Sequence, residues 1–222
     1  MSIRTNLDHF LRSVPSGVKL VAVSKTKPVV VVREAYDAGQ RIFGENKVQD
    51  LIAKQPLLPA DIEWHFIGHV QTNKVKFIAP FISLFHAVDS LKLFREINKQ
   101  ALKNNRIIDC LLQFHIAEEE TKFGLSMPEA VDILNSEAYK SFKNIRLIGV
   151  MGMATYTPDK DQVRKEFGIL KQMFDKLKAD YFIDNPAFKE ISMGMSGDYQ
   201  LAIAKGSTMI RIGTSIFGER NQ

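Results

Sequence analysis

Short apolar runs alternate with longer amphipathic segments along the whole chain, and this alternation constrains the fold more than any other feature. Eight runs are typical of buried strands: "VKLVAVS", "RIFG", "IEWHFIG", "ISLFHAV", "IIDCLLQFHI", "IRLIGVM", "EISMG" and "TMIRIG". Between them, apolar residues recur at helical spacing, as at Val163, Phe167, Leu170 and Leu177. A strand followed by a helix, repeated eight times, predicts an α/β fold that closes as a (β/α)8 TIM barrel. An open doubly wound sheet is the alternative.

The predicted barrel accounts for residues 1–222 as one domain. The 222 residues, 45% of them hydrophobic, suffice for one large core, and no Gly/Ser/Pro-rich linker interrupts them. Ile3, Leu7, Phe10 and Val14 have helical spacing and predict an extra N-terminal helix before the first strand. The opening residues lack the apolar segment of a secretory signal, and no apolar run reaches the roughly 20 residues that span a bilayer. We therefore expect no membrane association.

Two helix starts carry capping signals. Ser126-Met127-Pro128-Glu129 fits a capping box with proline in the first turn. Thr157-Pro158 places a proline directly after a residue that can cap a helix, which predicts that the long helix begins there.

Charge and cysteine content argue against several classes of protein. The net charge is +5, but the lysines are dispersed along helices without interleaved aromatic residues, so we expect no nucleic-acid partner. Cys110 is the only cysteine and lies in an apolar run. A disulfide framework is therefore excluded, and a cytoplasmic location is favoured.

The C-terminal ends of the strands form the functional face of such a barrel. Lys25 follows the first strand, where we expect its ammonium group to be partly desolvated beside Val21 and Val23. Desolvation favours the neutral amine that a Schiff base with an aldehyde requires. Position alone leaves the alternative that Lys25 extends from the barrel rim into solvent.

The last two strand ends have the composition of an anion site. Ser196 and Gly197 come shortly before the apolar run "YQLAIA", where a helix is predicted, so backbone amides and a hydroxyl group meet at a helix N-terminus. Gly213 and Thr214 follow the eighth strand, where backbone without a Cβ can approach a phosphate closely. Ordinary turn glycines explain either loop alone, but both loops are predicted at the same barrel end as Lys25.

Arg211 lies in the last strand, two residues before Gly213, and we expect its side chain to point into the barrel mouth. A lysine for an aldehyde, loops for a phosphate and an arginine for a ring nitrogen together match pyridoxal 5'-phosphate (PLP). A permanently cationic arginine disfavours protonation of the ring nitrogen and weakens the ring as an electron sink. We therefore expect a site that holds this cofactor without strongly activating carbanion chemistry.

Other chemistries find little support. His65 and His69 are four residues apart, but "HFIGH" lacks the glutamate of a zincin motif and runs from a strand into a loop, so we expect no metal site. The chain has no Walker A phosphate loop and no G-x-S-x-G elbow, so nothing indicates an ATPase or a serine hydrolase.

Six motifs, in order, resemble one known family. "AVSKTKP", "FGENKVQ", "WHFIGHVQTNK", "GVMGMAT", "SMGMSGDY" and "RIGTSIFGER" are similar to the pyridoxal-phosphate homeostasis proteins, known as the YggS or proline synthase co-transcribed family. The resemblance covers nearly the whole chain. It implies the barrel of the alanine racemase N-terminal domain, bound PLP, and a role in PLP and amino-acid homeostasis without established turnover.

Carried onto this chain, the resemblance implies that Lys25 holds PLP as an internal aldimine. Ser196, with the backbone of Gly213 and Thr214, would take the phosphate, and Arg211 would face the pyridine nitrogen. The predicted cofactor site is completed by Asn46 beside the ring, His69 as a neighbour, and Gly197.

Two functions from different classes follow. The first is a non-enzymatic PLP carrier or regulator, with apo forms of PLP enzymes as its expected recipients. The alternative is a PLP-dependent amino-acid racemase on the same barrel; similar racemases add a β-domain with a catalytic tyrosine. The sequence ends at Gln222, just after the eighth strand, so we expect a carrier and a monomer. Tyr156, after the sixth strand, keeps the racemase alternative open. A Schiff-base aldolase acting on a phosphorylated sugar is a third alternative, because it would also use the lysine and the phosphate loops.

Overall fold

Eight parallel strands close into a barrel in the computed structural model, which describes residues 2–118 and 123–218. Each strand pairs with its neighbours in chain order, and β1 pairs with β8. The strands are β1 Lys19–Val23, β2 Ile42–Glu45, β3 Glu63–Phe66, β4 Leu84–Val88, β5 Ile108–Phe114, β6 Ile145–Gly152, β7 Glu190–Ser192 and β8 Met209–Ile212. The predicted (β/α)8 barrel is therefore confirmed, and the open sheet is excluded.

The helices surround this barrel. They are α1 Ile3–Ser13, α2 Val29–Asp37, α3 Val48–Lys54, α4 Thr72–Ile78, α5 Leu91–Lys103, α6 Met127–Asn135, α7 Glu137–Lys140, α8 Lys160–Tyr181, α9 Tyr199–Ala204 and α10 Thr214–Phe217. A 3-10 turn at Gln55–Leu57 follows α3. Among the described residues, no helix is both long and apolar enough to cross a membrane.

Two apolar clusters hold the barrel together. Leu20 and Ala22 of β1 belong to the larger cluster, which joins strands to helices, whereas Val21 between them belongs to a second one. This alternation follows from the two-residue period of a strand. The second cluster consists of buried strand residues inside the barrel, namely Val21, Leu84, Ala87, Leu111, Ile148, Met151 and Met209. Both faces of the strands are therefore buried, which explains their continuous apolar runs.

The predicted N-terminal helix is α1, and it packs beside the last two helices. Leu7 and Phe10 are buried, and the Phe10 ring meets the ring of Tyr199 edge to face. Asn6 Nδ2 donates to the carbonyl oxygen of Ile216 in α10 at 3.0 Å. The extra helix is thus attached to the segments that follow β7 and β8.

One predicted helix start is confirmed and one is wrong. Ser126 and Glu129 form the reciprocal capping box at the start of α6. The long helix α8 is capped by Asp159, whose side chain accepts from the amides of Asp161 and Gln162, and not by Thr157. The Thr157 hydroxyl oxygen instead accepts from the Asp159 amide at 3.2 Å, so the proline lies before the cap.

Strand β6 contains a bulge that depends on a glycine. The register between β5 and β6 shifts where Leu111 pairs with Gly149. A Cβ at Gly149 would overlap the carbonyl oxygen of Glu190 on the neighbouring strand β7. The close approach of β6 and β7 therefore requires a residue without a side chain at this position.

Candidate functional site

Lys25 lies in a tight turn directly after β1. Its side chain is half-buried, and the next residue, Thr26, has a φ of 65°. A left-handed conformation is uncommon for a residue other than glycine and has to be held by its surroundings. Lys27 Nζ donates to the carbonyl oxygens of Phe217 and Gly218 at 3.1 and 3.2 Å. The second lysine of the "SKTK" turn is therefore bound to the C-terminal end of α10.

A buried ion pair lies beside this turn. The Oε1 atom of Glu45 accepts from Lys54 Nζ at 2.7 Å and from the Ser24 hydroxyl at 2.6 Å. Lys54 Nζ also donates to the Ser24 carbonyl oxygen at 2.9 Å. Burial raises the pKa of the Glu45 carboxyl group, and the nearby ammonium group of Lys54 opposes this rise.

Asn46 follows Glu45 and lies close to the turn after β3. A Cβ at Gly68 would come within 2.9 Å of Asn46 Cβ, so glycine is what allows the two turns to meet. Asn46 Oδ1 is buried and has no hydrogen-bond partner among the described residues. A buried amide oxygen normally has a donor, so this atom is available to a bound ligand.

Arg211 is buried inside the barrel at the end of a chain of hydrogen bonds. Its Nη1 atom donates to the Ser192 hydroxyl oxygen at 2.6 Å and to the Ser192 carbonyl oxygen at 2.8 Å, and its Nη2 atom donates to the Gly152 carbonyl oxygen at 3.2 Å. Ser192 Oγ lies 2.9 Å from His86 Nδ1, and His86 Nε2 lies 3.0 Å from His65 Nδ1. Four strands thus fix the position of Arg211.

Arg211 also determines which atoms carry the protons along this chain of hydrogen bonds. Since a guanidinium group can only donate, the Ser192 hydroxyl accepts from it and directs its own hydrogen to His86 Nδ1. His86 then carries its proton on Nε2 and donates to His65 Nδ1. Burial lowers the pKa of His65 to about 3 and holds the pKa of His86 well below its usual value, so both rings are neutral. Burial also lowers the pKa of Arg211 to about 10, which leaves it cationic at neutral pH.

The turns after β7 and β8 lie beside one another at the same barrel end. Gly213 packs against Val23 of β1, two residues before Lys25. The backbone amides of Ser196, Gly197 and Thr214 donate to no protein acceptor within the described residues. The φ of −117° at Gly213 is open to any residue, and a Cβ at Gly197 would meet no atom within 4 Å. The fold itself therefore does not require these two glycines, which is compatible with a ligand approaching this backbone.

His69 lies at the same end but on the outer rim. Its Nδ1 atom is 3.3 Å from Asp89 Oδ2, its side chain is 44% exposed, and its ring stacks on Phe123 at a centroid distance of 4.9 Å. It lines a cavity of about 390 Å³ between the starts of α4 and α5, together with Gln71 and Ser90. Among the described parts of the chain, no hydrogen bond, ion pair or ring contact joins it to the other predicted site residues.

The barrel thus brings together seven of the eight residues predicted for the site at the ends of β1, β2, β7 and β8: Lys25, Asn46, Ser196, Gly197, Arg211, Gly213 and Thr214. The sequence did not indicate that His86, Ser192 and Lys54 support these residues. A signal was present for His86, because a polar residue interrupts the apolar strand "LFHAV". In residues 2–118 and 123–218, no three His, Cys, Asp or Glu side chains are grouped as metal ligands.

Residues 1–221 match the family described as the alanine racemase N-terminal domain. The chain is 40% identical over 203 residues to the pyridoxal phosphate homeostasis protein of Aquifex aeolicus, covering 91% of this chain and 87% of that protein. Its fold is similar to that of PipY of Synechococcus elongatus PCC7942, solved with PLP bound, at 32% identity and a TM-score of 0.87, covering 98% of this chain and 100% of PipY.

The same fold also occurs in an alanine racemase of Clostridium difficile. It has a TM-score of 0.80 at 15% identity, and the match covers 100% of this chain but 57% of the racemase. At this identity the similarity concerns the fold alone. The family predicted from the six motifs is confirmed by the far closer homeostasis proteins, and the chain belongs to the pyridoxal phosphate homeostasis protein family, built on the alanine racemase N-terminal domain.

Proposed function

We propose that this protein binds PLP at the C-terminal end of its barrel and acts in PLP and amino-acid homeostasis without catalytic turnover. The observation that carries the proposal is the convergence of Lys25, Arg211 and the turns after β7 and β8 at one barrel end. PLP supplies an aldehyde that condenses with a lysine amine, a phosphate, and a pyridine nitrogen. PipY, which has the same fold and 32% identity, is solved with PLP bound, and this supports the assignment.

Each polar group of the site has a part in this proposal. Lys25 Nζ is the amine that binds the aldehyde. Ser196, with its neighbour Gly197, and the backbone of Gly213 and Thr214 bind the phosphate, because amides with no protein acceptor are suited to an anion. Asn46 Oδ1 accepts a hydrogen bond beside the ring, and His69 contributes from the rim.

Arg211 faces the ring nitrogen, where its charge affects the chemistry that the ring can support. It is cationic and held by neutral partners, so it disfavours a proton on that nitrogen. An unprotonated ring is a weak electron sink, which suits retention of the cofactor better than chemistry on it. The curated relatives are named for homeostasis of PLP and not for a reaction, which agrees with the non-enzymatic prediction.

A racemase on this barrel remains the second candidate. Two-base racemisation needs an acid/base group opposite Lys25. Tyr156 is the candidate for this role from the sequence analysis, and it is 96% exposed in the turn after β6. A group so fully in water is poorly placed to hold a proton at a defined substrate atom.

Borohydride trapping tests the site directly. The purified protein is mixed with PLP, reduced with borohydride, digested and mapped by mass spectrometry for the pyridoxyl group. We expect the label on Lys25 and its loss in Lys25→Ala, while Lys27→Ala, in the same turn, keeps it. A label that remains in Lys25→Ala at wild-type yield, or that maps mainly elsewhere in wild type, contradicts the site.

A racemisation assay separates the two functions. The PLP-loaded protein is incubated with L-alanine and other L-amino acids, and the D-isomers are measured with Lys25→Ala as the control. We expect no D-isomer above that control. Turnover that Lys25→Ala abolishes would establish the racemase.

We propose a single PLP-binding domain over residues 1–222 that is monomeric, cytoplasmic and able to deliver PLP to apo forms of PLP enzymes. The buried free thiol of Cys110 agrees with a reducing compartment. Light scattering measures the mass in solution. Recovery of activity by an apo-enzyme mixed with the loaded protein, faster than with the same total PLP loaded on an unrelated binder, measures delivery.

A further inference from the structure

A buried ion pair adjoins the turn that carries Lys25, and nothing in the proposed cofactor contacts uses it. The Glu45 side chain is fully buried, the Lys54 side chain is 9% exposed, and the Nζ–Oε1 distance is 2.7 Å. The second carboxylate oxygen, Oε2, is buried without a partner among the described residues. This pair comes from the end of β2 and the last residue of α3, so it joins the barrel to its helical layer.

Stability does not explain the pair. Removing two charges from water costs several kcal/mol per ion, and well-packed apolar residues of similar volume often stabilise a protein as well or better. The unpartnered Oε2 atom adds a further cost. The group whose position depends on Glu45 and Lys54 is Ser24.

Every polar atom of Ser24 is held by this cluster and by the neighbouring backbone. Its amide donates to the Gly44 carbonyl oxygen at 3.0 Å, and its hydroxyl donates to Glu45 at 2.6 Å. Its carbonyl oxygen accepts from Lys54 Nζ at 2.9 Å and from the Lys27 amide at 3.1 Å. Ser24 is the residue immediately before Lys25, so the peptide that leads into the lysine cannot rotate freely.

The residue after Lys25 shows why such restraint is needed. Thr26 has a φ of 65°, and a left-handed conformation costs a β-branched residue free energy unless its surroundings enforce it. With Ser24 fixed on one side and Thr26 in this conformation on the other, the backbone sets the direction of the Cα–Cβ bond from which the Lys25 side chain extends. Small errors in the position of a reacting group have large effects on the bond it forms.

We propose that Glu45 and Lys54 are positioning residues that fix the turn from Ser24 to Thr26 and thereby aim Lys25 at the PLP aldehyde. The inference rests on the proposed PLP function and names residues that support that site.

The barrel supplies a matched control. Lys19, at the start of β1, pairs with the buried Glu190 of β7 at an Nζ–Oε1 distance of 2.6 Å. Lys19 begins β1, the strand that leads to Lys25, and Glu190 begins β7, so this pair lies at the opposite end of the barrel from Lys25. It is also a lysine–glutamate pair with a buried carboxylate, but the Lys19 side chain is 47% exposed, whereas that of Lys54 is 9% exposed.

The test compares the double variants Glu45→Met/Lys54→Met and Lys19→Met/Glu190→Met with wild type. Replacing both partners avoids an isolated buried charge, so we expect both variants to fold. The dissociation constant of PLP is measured by its visible absorbance, the trapped label is mapped between Lys25 and other lysines, and thermal melting monitors folding. We expect the first variant to bind PLP about tenfold more weakly, with part of the label moved off Lys25, and the second to match wild type.

Wild-type affinity and labelling in a folded Glu45→Met/Lys54→Met variant would overturn the inference, as would an equal loss in both double variants. If that variant does not fold, Ser24→Ala decides, since it removes only the hydroxyl that Glu45 holds. We expect about threefold weaker binding from it, and unchanged binding overturns the inference. Failure of the proposed function looks different, because wild type itself would then carry no label on Lys25.

Discussion

The guanidinium group of Arg211 and the hydroxyl group of Ser192 lie 2.6 Å apart, and this one contact fixes the protons of two buried histidines. Because Arg211 can only donate, Ser192 passes its hydrogen to His86. A cation at the barrel mouth is thereby held by neutral groups, although an arginine is usually buried beside a carboxylate. This arrangement leaves its charge available to a ligand.

Removal of the Ser192 hydroxyl should destabilise the protein. In Ser192→Ala, Arg211 keeps only carbonyl acceptors and His86 Nδ1 loses its donor in a buried site. We expect a loss of about 1–3 kcal/mol in the free energy of unfolding, measured by urea denaturation. Ser16→Ala, at an exposed position, is the control, and equal stability of the two variants would contradict this assignment.

The buried histidines should make the protein sensitive to acid. The pKa of His65 is lowered to about 3 in the folded state, so between about pH 6.5 and pH 3 the unfolded chain binds a proton that the folded protein does not. The contribution of neutral His65 to the free energy of unfolding is therefore fully present above pH 6.5, and it is lost as the pH falls through this window. His86 acts in the same direction.

We expect each of these histidines to contribute up to about 1.4 kcal/mol per pH unit to the slope of the free energy of unfolding against pH. Urea denaturation at several pH values measures this slope. His65→Gln/His86→Gln should have a shallower slope than wild type. His9→Gln, at an exposed site, should keep the wild-type slope. An unchanged slope in the double variant would show that other groups control the acid response.

Lys27 should strengthen binding of the PLP phosphate without forming the covalent bond to PLP. Its ammonium group binds the last carbonyl oxygens of α10, and the first residues of α10 belong to the proposed phosphate site. In Lys27→Met we expect PLP to bind about three- to tenfold more weakly, while pyridoxal, which lacks the phosphate, binds as before. Absorbance titrations with both compounds measure the difference, and an equal loss for both would place Lys27 elsewhere in the site.

Gly149 should tolerate no side chain. In Gly149→Ala the new methyl group would overlap the Glu190 carbonyl oxygen, and the strands β6 and β7 would have to separate. We expect a loss of about 3 kcal/mol or more in the free energy of unfolding, or failure to fold. Gly17→Ala is the matched control, because a Cβ at Gly17 would meet no atom within 4 Å, and it should unfold like wild type.

The sequence by itself determined the barrel and the end at which its chemistry lies. Apolar runs and helical spacing are local patterns, so all eight strands, the N-terminal helix and the capping box at Ser126 could be located from neighbouring residues alone. Parallel strands all point the same way, so residues that follow them, such as Lys25 and Gly213, had to meet at one end. The motifs supplied the family.

Only the tertiary structure decided which side chains support that site. Ser192 and His86 are 106 residues apart, and Lys54 reaches Glu45 only because α3 folds back on β2. A buried polar group takes its partner from whichever strand or helix the closed barrel places beside it. That placement depends on the register of all the strands at once, so no local pattern contains it. The motif "AVSKTKP" could thus indicate Lys25, but only the closed barrel showed that Lys27 binds α10 and that Ser24 is held by Glu45 and Lys54.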